Sequence, residues 1–299
     1  MKPKPFDRTT TGTKVAAAFG DRIRGKHILI TGASPNSIGE ATARAVAGRS
    51  PGLLILASRS AAKLSAVAGQ IGEQHPHVTV RTVVVDLADQ NSVREAATQI
   101  RGLTTRLDVL VNNAGVSLSR KQWSPDGNGI ELTFATNHVG PFLLTNLLLP
   151  ILLEAARTNK PGDTRIVNVS SSAHVISPFR FSDYNFEGKP LPQREQPRKN
   201  LPDHLYEQHD GFPGMVAYGA SKTANILFSV ALNERLLPSG IRSYAVNPGD
   251  ILSGLLREVG AEFRKVTGAM PPETWKTPDQ GSATSLVAAF DPSLSDTGG

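Results

Sequence analysis

A tyrosine and a lysine four residues apart, Tyr218 and Lys222, have the types and spacing of a general acid–base pair. Apolar residues recur after them at helical intervals, at Ala224, Ile226, Leu227, Val230, Ala231 and Leu236. This pattern predicts an amphipathic helix that carries both side chains on one face, about one turn apart. A lysine ammonium near a phenol favours the phenolate and is expected to lower its pKa from about 10. Taken alone, a tyrosine and a lysine at this spacing usually form an exposed surface pair, so the rest of the chain must support the acid–base interpretation.

A glycine-bearing turn lies far upstream of this pair, between a predicted strand and a predicted helix. The strand is His27–Ile30, and the helix continues from Glu40 to Ala47. The turn between them carries the candidate phosphate contacts Gly32, Ser34, Ser37, Ile38 and Gly39. Strand, turn and helix in this order place backbone N–H groups and a helix N-terminus around a phosphate. The alternative is an ordinary connection between a strand and a helix.

Five more predicted strands alternate with helical patterns. The strands are Leu53–Ala57, Val78–Val85, Leu107–Val111, Arg165–Val169 and Ile241–Val246, and the main helical patterns are residues 61–74, 90–101 and 128–157. Such alternation predicts right-handed βαβ units, a parallel sheet and a ligand groove at the carboxyl ends of the strands. Every predicted strand ends in small, polar or turn residues, as that groove requires.

The residues after the second strand, Ser58 and Arg59, bear on the choice of cofactor. Dinucleotide folds that bind NAD usually carry Asp or Glu at this place, where it binds the ribose 2′-hydroxyl. A guanidinium would instead pair with a 2′-phosphate, which indicates NADP. The alternative is a surface arginine at the end of the strand.

Composition bounds the class of protein. The chain has 299 residues, of which 39% are hydrophobic and 19% charged, so it can bury a large core. The absence of cysteine excludes disulfides, thiolate metal sites and a cysteine nucleophile, and the histidines show no metal-ligand spacing. The net charge of +6 is scattered, and its densest group is Arg194, Arg198 and Lys199. We interpret that group as a solvated loop and expect no nucleic-acid partner and no metal.

No membrane or secretory segment is predicted. The N-terminus, Met1 to Pro5, lacks the apolar core of a signal peptide. The most apolar run, Pro141–Leu153, is too short to span a bilayer and is interpreted as part of a buried helix. We therefore expect a cytoplasmic protein with no integral membrane segment.

Together, the motifs resemble the short-chain dehydrogenase/reductase family. They occur in the family's order across residues 27–253: Thr31-Gly32…Ile38-Gly39, Asp86-Leu87, Asn113-Ala114-Gly115, Asn137, Ser171, Tyr218-x-x-x-Lys222 and Asn247-Pro248-Gly249. Residues 136–145 and 168–174 resemble its retinol-dehydrogenase-like branch, which includes the WW-domain oxidoreductases. In that branch the catalytic serine precedes x-Ala-His, so the resemblance selects Ser171 over Ser170 and Ser172.

The resemblance implies one α/β domain over residues 1–299. Its sheet would be a doubly wound, Rossmann-type parallel sheet with strand order 3-2-1-4-5-6. It also implies a set of NADP(H) contacts: Gly32, Ser34, Ser37, Ile38, Gly39, Ser58, Arg59, Asp86, Leu87, Asn113, Ala114, Gly115, Tyr218, Lys222, Pro248, Gly249, Ile251 and Ser253.

The activity implied is hydride transfer between nicotinamide and a carbonyl or secondary alcohol of a small, apolar or aromatic molecule. Tyr218 would donate the proton, Lys222 would lower its pKa and bind the ribose, and Ser171 would stabilise the charge on the substrate oxygen. Asn137 would hold a water that links Lys222 to solvent. Two alternatives stay open, reduction of a C=C bond on the same fold and a non-catalytic NADP-binding sensor or scaffold. Related enzymes pair through the two helices at residues 128–157 and after Tyr218, so a homodimer is expected.

Three departures from the family pattern carry expectations. Ser37 stands where the middle glycine of the turn is usual, so the loop is expected to take a different path and still bind cofactor.

Residues 172–217 form a long insert with six prolines and six of the fifteen Phe and Tyr residues, which fits either a pocket wall or a surface excursion. Residues 251–275 are expected to form a helical segment on the substrate side. A seventh strand is expected just after Gly299, where the sequence stops, and without it the sixth strand would be an edge.

Overall fold

The computed structural model describes residues 6–251, 255, 265, 266 and 268–295, and these ranges contain one six-stranded sheet. Its strands are β1 His27–Thr31, β2 Leu53–Ser58, β3 Val80–Val84, β4 Val109–Asn112, β5 Thr164–Val169 and β6 Ile241–Val246. The strand order is β3-β2-β1-β4-β5-β6, and every neighbouring pair is parallel. The predicted fold class and strand order are confirmed.

Helices connect the strands and cover both faces of the sheet. They are α1 Gly12–Ala18, α2 Gly20–Ile23, α3 Ile38–Ala47, α4 Ala61–Gln74, α5 Gln90–Leu103, α6 Leu132–Phe134, α7 Gly140–Thr158, α8 Gly214–Leu236 and α9 Pro278–Phe290. Side-chain caps stabilise the first turn of several of these helices, because an oxygen of the N-cap residue accepts a hydrogen bond from a backbone N–H that has no partner within the helix. These caps are Thr11, Ser37, Ser60, Asp89 and Thr277.

The helix predicted at residues 128–157 is less regular than the sequence suggested. It begins at Leu132, and a π-helical turn, Ala135–Val139, separates α6 from α7. The predicted long helix that carries Asn137 is present as the helical stretch Leu132–Thr158, with this π turn inside it. The extra backbone residue of a π turn reorients the side chains around it, and Asn137 lies at its centre.

The core consists of two layers, one on each face of the sheet. Successive side chains of a strand point to opposite faces, so Ile28 and Ile30 belong to one layer and Leu29 to the other. The first layer packs against α3, α4 and α9, and the second packs against α5, α7 and α8. Because both faces are covered, the central strands are almost continuously apolar.

One described helical stretch, Leu132–Thr158, is long and apolar enough to cross a membrane, with a mean hydropathy of 1.7. This stretch is longer than the apolar run that the sequence singled out, so length alone does not exclude a span. However, Leu144, Leu148 and Leu152 are completely buried in the layer beneath the sheet. Packing as a core helix of the domain accounts for its apolar composition.

The two edges of the sheet within the described residues are β3 and β6. In β3 only Val83 is buried, while the side chains of Arg81, Thr82 and Val84 are exposed. The predicted seventh strand would lie beyond β6, and residues 296–299 lie outside the described ranges. The same holds for most of the helical segment predicted at residues 251–275.

Candidate active site

Helix α8 places Tyr218 and Lys222 on its buried face, where they are 6% and 3% exposed. The helix lies directly against the segment that follows β5. A Cβ atom added to Gly219 would be 2.6 Å from the carbonyl oxygen of Ala173, so a side chain there would force the two segments apart. The glycine between the two site residues thus brings them close to the end of β5.

Two serines at the end of β5 point in different directions. The Ser170 hydroxyl donates a hydrogen bond of 2.8 Å to the backbone carbonyl of Lys222 and is buried against α8. The Ser171 hydroxyl lies near enough to the Tyr218 phenol to lower its pKa, and it accepts a 3.2 Å hydrogen bond from the backbone N–H of Ala173. The structure thus brings Ser171, and not Ser170, to the hydroxyl of Tyr218.

The position of the Lys222 side chain depends on a backbone carbonyl that binds it and on a glycine that leaves space for it. Its Nζ atom donates a 3.0 Å hydrogen bond to the carbonyl oxygen of Val169, in β5. A Cβ atom added to Gly115 would lie 3.2 Å from Nζ and 3.3 Å from Oδ1 of Asn137. The glycine at position 115 therefore leaves room for the ammonium beside Asn137.

Burial dominates the proton affinities of the pair. It raises the pKa of Tyr218 to about 12, although the nearby Ser171 hydroxyl acts in the opposite direction. Burial also lowers the pKa of Lys222 to about 8, because the ammonium loses its water. The prediction that Lys222 brings the phenol pKa below 10 is wrong for this structure. The lysine contacts Val169 rather than the phenol, and its attraction does not overcome the desolvation of a phenolate.

Asn137 is fixed by its neighbours within the π turn. Its Oδ1 accepts a hydrogen bond of 2.8 Å from the Val116 N–H, and its Nδ2 donates to the Val116 carbonyl at 2.9 Å. Nδ2 also lies 3.0 Å from the hydroxyl of Ser221, which in turn donates to the carbonyl of Tyr218. Asn137 therefore ties the segment after β4 to the helix of the acid–base pair.

The turn after β1 is built on two glycines and one serine cap. Gly32 has a φ of +74°, and a Cβ atom added to it would lie 2.8 Å from Cα of Ala114. A Cβ atom on Gly39 would lie 2.5 Å from the Gly32 carbonyl oxygen, so only glycine allows α3 to approach so closely. The Ser37 hydroxyl accepts from Glu40 N and from Ser34 N and donates to Gly32 O. Ser37 thus replaces the usual glycine with the N-cap of α3, whose first N–H groups, at Ile38 and Gly39, face away from the helix.

The ends of β1 and β4 are joined by Thr31. Its hydroxyl oxygen accepts hydrogen bonds from the N–H groups of Asn113 and Ala114, at 3.0 and 3.1 Å. The Asn113 side chain donates to the Thr31 carbonyl at 2.8 Å. These bonds set the Asn113-Ala114-Gly115 backbone next to the glycine-bearing turn.

The ends of β2 and β3 complete this side of the groove. Arg59 is exposed and makes no hydrogen bond or ion pair with the described part of the chain. The hydroxyl of Ser58 beside it is buried, and it too has no partner among the described residues. After β3, Asp86 accepts a hydrogen bond from the Ala88 N–H, and Leu87 is buried beneath the start of α7.

The last predicted contacts follow β6. Pro248 is buried, and Gly249 has a φ of +88°, with the side chain of Lys276 about 3 Å from where its Cβ would be. Ile251 is 8% exposed and pairs with Lys276 in a short parallel bridge. Ser253 lies outside the described residues. Every described residue of the predicted set therefore lies at or near the carboxyl edge of the sheet.

Comparison with known proteins identifies this arrangement. Residues 26–185 and 207–263 match the short chain dehydrogenase family. The chain belongs to the short-chain dehydrogenase/reductase family. It is 39% identical to the oxidoreductase fscI of Fusarium equiseti over 82% of this chain and 94% of that protein, and 34% identical to retinol dehydrogenase 11 of Homo sapiens over 91% and 75%. The second likeness supports the retinol-dehydrogenase-like branch. A short chain dehydrogenase of Burkholderia cenocepacia, solved in complex with NADP, has the same fold, with a TM-score of 0.63 and 23% identity over 92% of this chain and 94% of that one.

The segment predicted as an insert, residues 172–217, is divided into two parts. Phe179 and Tyr184 pack on Phe134 of α6, with ring centroids 5.0 and 5.8 Å away, and Phe179 in turn contacts Phe181. Later residues, including Leu201, Leu205 and Tyr206, pack against the apolar cluster around Tyr218. Residues 179–184 therefore brace the surface, whereas Phe186 and later residues such as Leu205 form a wall beside Tyr218. Neither of the two predicted roles describes the whole insert.

Asn185 anchors the first part of the insert. Its Oδ1 accepts from the Glu131 N–H at 2.9 Å, and its Nδ2 donates to the Gly129 carbonyl at 2.7 Å. The Glu131 carboxylate, which is completely buried, accepts from the first N–H groups of α6. Its desolvation raises the pKa of Glu131. The insert thereby supports the start of the helical stretch that carries Asn137.

The two histidines near the site, His138 and His174, have structural contacts. His138 stacks on Phe134, its ring faces Asn225, and burial lowers its pKa, which favours the neutral ring. The His174 ring lies 2.7 Å from the Ser171 carbonyl oxygen. The polar residues that sequence reasoning missed are Thr31 and Ser221. Their signals were weak, since each is a small hydroxyl residue inside a motif chosen for other members.

Proposed function

We propose that this protein is an NADP(H)-dependent oxidoreductase that transfers hydride between nicotinamide and a carbonyl or secondary alcohol. The substrate would be a small molecule with an apolar or aromatic body. The observation that carries the proposal is the burial of the Tyr218 phenol beside the Ser171 hydroxyl, with the buried Lys222 one helical turn away. Two hydroxyl groups on one side of an apolar cluster can both reach a single substrate oxygen.

Several features of the groove fit a bound dinucleotide. The turn at Gly32 and Gly39 is a cradle that a Cβ atom would fill, and it leads to the N-terminus of α3, where a pyrophosphate is stabilised. The orphan hydroxyl of Ser58 and the unpaired guanidinium of Arg59 lie side by side at the end of β2. Both are suited to a 2′-phosphate, which supports NADP(H) over NAD(H). The Burkholderia cenocepacia dehydrogenase that holds NADP has the same fold.

In this proposal the bound cofactor supplies or accepts the hydride, and the protein manages the oxygen and its proton. With a pKa of about 12, Tyr218 is a neutral phenol at neutral pH and can donate its proton to an alkoxide as it forms. Ser171 donates a hydrogen bond to the same oxygen and stabilises its charge. The resting state is thus protonated for reduction.

Lys222 and Asn137 would restore the proton of Tyr218. The Lys222 ammonium, with a pKa of about 8, is charged at neutral pH and can give up a proton more readily than an exposed lysine. Asn137 keeps Val116 and Ser221 in place around it, and a water held near its side chain would connect Lys222 to solvent. Reductive turnover should therefore decline as the pH rises through about 8, where Lys222 loses its charge.

The experiment that tests this proposal is a panel of aldehydes, ketones, quinones and enones offered with NADPH, followed by the absorbance of the cofactor. Reduction of a carbonyl to an alcohol supports the proposal. Products reduced only at C=C would assign the second reaction type to the same residues. NADPH binding with no turnover of any compound would favour a sensor or scaffold.

A further inference from the structure

A wide-open, shallow cavity of about 690 Å³ lies within the insert, and its lining does not include Ser171, Tyr218 or Lys222. Leu191, Pro197 and Tyr206 provide apolar wall, while Arg198 and Lys199 provide two cationic side chains. Its volume is in the range of pockets that bind small organic ligands. Arg198 and Lys199 are exposed, in agreement with the interpretation of this group as a solvated loop, and they also line this open cavity.

The charge of this cavity is uncompensated. No acidic side chain lines it, and neither Arg198 nor Lys199 forms an ion pair with the residues that the structure describes. The nearest acidic residue in sequence, Glu195, is buried and accepts a hydrogen bond from the backbone of Ser182. Two unpaired cations beside an apolar wall are suited to a ligand with one anionic end and one apolar end.

The cavity wall is connected to the acid–base pair. The Arg198 N–H donates a 2.9 Å hydrogen bond to the carbonyl of Ile176, and the Tyr206 hydroxyl donates to the carbonyl of Arg198. Ile176 and Tyr206 both belong to the apolar cluster that contains Tyr218. The cationic wall is thus tied through Ile176 and Tyr206 to the apolar cluster that contains the phenol.

We propose that the substrate carries a carboxylate, which binds at Arg198 and Lys199 while its apolar body extends along Tyr206 towards Tyr218. This inference rests on the proposed function, because it places the carbonyl that is reduced at the other end of the same molecule. The substrate class is then an oxo acid with an apolar body. Arginine and lysine together bind a carboxylate through charge-assisted hydrogen bonds, which an ester or alcohol cannot replace.

Binding can be tested without turnover. The NADP-bound protein is titrated calorimetrically with decanoate and with decanol, at low and high salt. We expect decanoate to bind at least about tenfold more tightly at low salt, because its carboxylate pairs with the two cations. In the double variant Arg198→Glu with Lys199→Glu, decanoate affinity should fall at least about tenfold, while decanol and NADPH affinities stay unchanged. The control is Lys160→Glu with Arg194→Glu, which changes the net charge equally on exposed residues outside the cavity.

Equal binding of decanoate and decanol would overturn the inference, as would binding of neither or an equal loss in the control variant. Loss of decanoate binding in Arg198→Ala with Lys199→Ala excludes local repulsion as the cause. The same titration with decyl phosphate tests whether the cations prefer a phosphate. If decyl phosphate binds more tightly than decanoate, the proposal that the ligand carries a carboxylate is overturned in favour of a phosphate.

Turnover separates this inference from the proposed function. Oxo acids of increasing chain length and their methyl esters are offered with NADPH. We expect a lower KM for the acids, at one range of lengths, and a loss of that difference in Arg198→Glu with Lys199→Glu. Equal KM values for acids and esters would overturn the inference and leave the oxidoreductase proposal standing. Selective decanoate binding with no reduction of either series would leave an anion site at Arg198 and Lys199 but overturn the assignment of oxo acids as the substrate class.

Discussion

The Nζ atom of Lys222 lies 5.5 Å from the centre of the Tyr218 ring and is hydrogen-bonded to Val169 rather than to the phenol. Each member of the pair is therefore buried with few polar partners of its own. Burial moves the two pKa values towards their neutral forms, upward for Tyr218 and downward for Lys222. At neutral pH the burial of the Lys222 ammonium costs folding stability, because the unfolded chain solvates that charge better.

The first prediction concerns that loss of stability. The pKa of Lys222 falls from 10.5 to about 8 on folding. At neutral pH this burial costs on the order of 3 kcal/mol, so Lys222→Met should raise the free energy of unfolding by up to about that amount. Above pH 8 the unfolded chain binds more protons than the native one, so wild-type stability rises with pH and the advantage of the variant should shrink towards pH 10.5.

Urea unfolding across this pH range measures the difference, and the exposed Lys160→Met is the control. A Lys222→Met protein that is less stable than wild type at neutral pH would show that the ammonium contributes to the fold. The same variant should lose turnover, because Tyr218 would lack its proton relay.

Arg59 is predicted to set the cofactor preference. Its guanidinium has no partner among the described residues, and one charge-assisted contact with a phosphate is worth about 1.5–3 kcal/mol. Arg59→Ala should therefore raise the Kd for NADPH about 10- to 100-fold and leave the Kd for NADH nearly unchanged. The control is Arg101→Ala, an exposed arginine on α5. An NADPH preference that survives in Arg59→Ala would show that other residues read the 2′-phosphate.

Asn185 is predicted to be a stability anchor and not a cofactor residue. Its amide satisfies two backbone groups, at Glu131 and Gly129, where α6 begins. Asn185→Ala leaves both without that partner and should lower the free energy of unfolding by about 2–4 kcal/mol. Asn91→Ala, an exposed position on α5, should change it little. If denaturant unfolding of Asn185→Ala matches wild type, the insert does not brace the helix.

We also predict a homodimer that pairs through α7 and α8. The insert covers the Phe134 end of this face, but Phe142, Leu227 and Val230 remain 44%, 44% and 51% exposed. Burying such side chains is worth about 1.5–3 kcal/mol each. Phe142→Ser with Val230→Lys should give monomers in sedimentation velocity at micromolar protein, whereas Val84→Lys, at an exposed site on β3, should not. Wild-type protein that sediments only as a monomer would contradict this prediction.

Most of the fold could be predicted because the strands have a clear signal in the sequence. Each is a short apolar run bounded by glycine, proline or polar residues, and β3 was placed within two residues of its bounds, Val80–Val84. The π turn at Ala135–Val139 gave no such signal. It depends on the hydrogen bonds that Asn137 makes with Val116 and Ser221, and these are distant in the sequence.

The residues of the site could be predicted from the sequence, but the direction in which the pKa of Tyr218 shifts could not. Tyr218 and Lys222 are found by their spacing, whereas their pKa values depend on burial by residues such as Ile176 and Val216, whose positions the sequence does not reveal. The division of the insert was equally hidden. Phe179 and Tyr206 have similar aromatic character, and only packing separates the surface brace from the wall beside the site.

The most direct test of the account follows the hydride and the proton donor together. A carbonyl compound identified with the substrate panel is reduced with NADPH deuterated at C4, by wild type, Tyr218→Phe and the exposed control Tyr184→Phe. We predict deuterium on the carbinol carbon for wild type and the control. Tyr218→Phe should bind NADPH normally and lose at least about 100-fold in turnover, since only the proton donor is removed. Turnover of Tyr218→Phe within a few-fold of wild type, or deuterium only at a carbon of a C=C bond, would contradict the assignment of Tyr218 as the acid of carbonyl reduction.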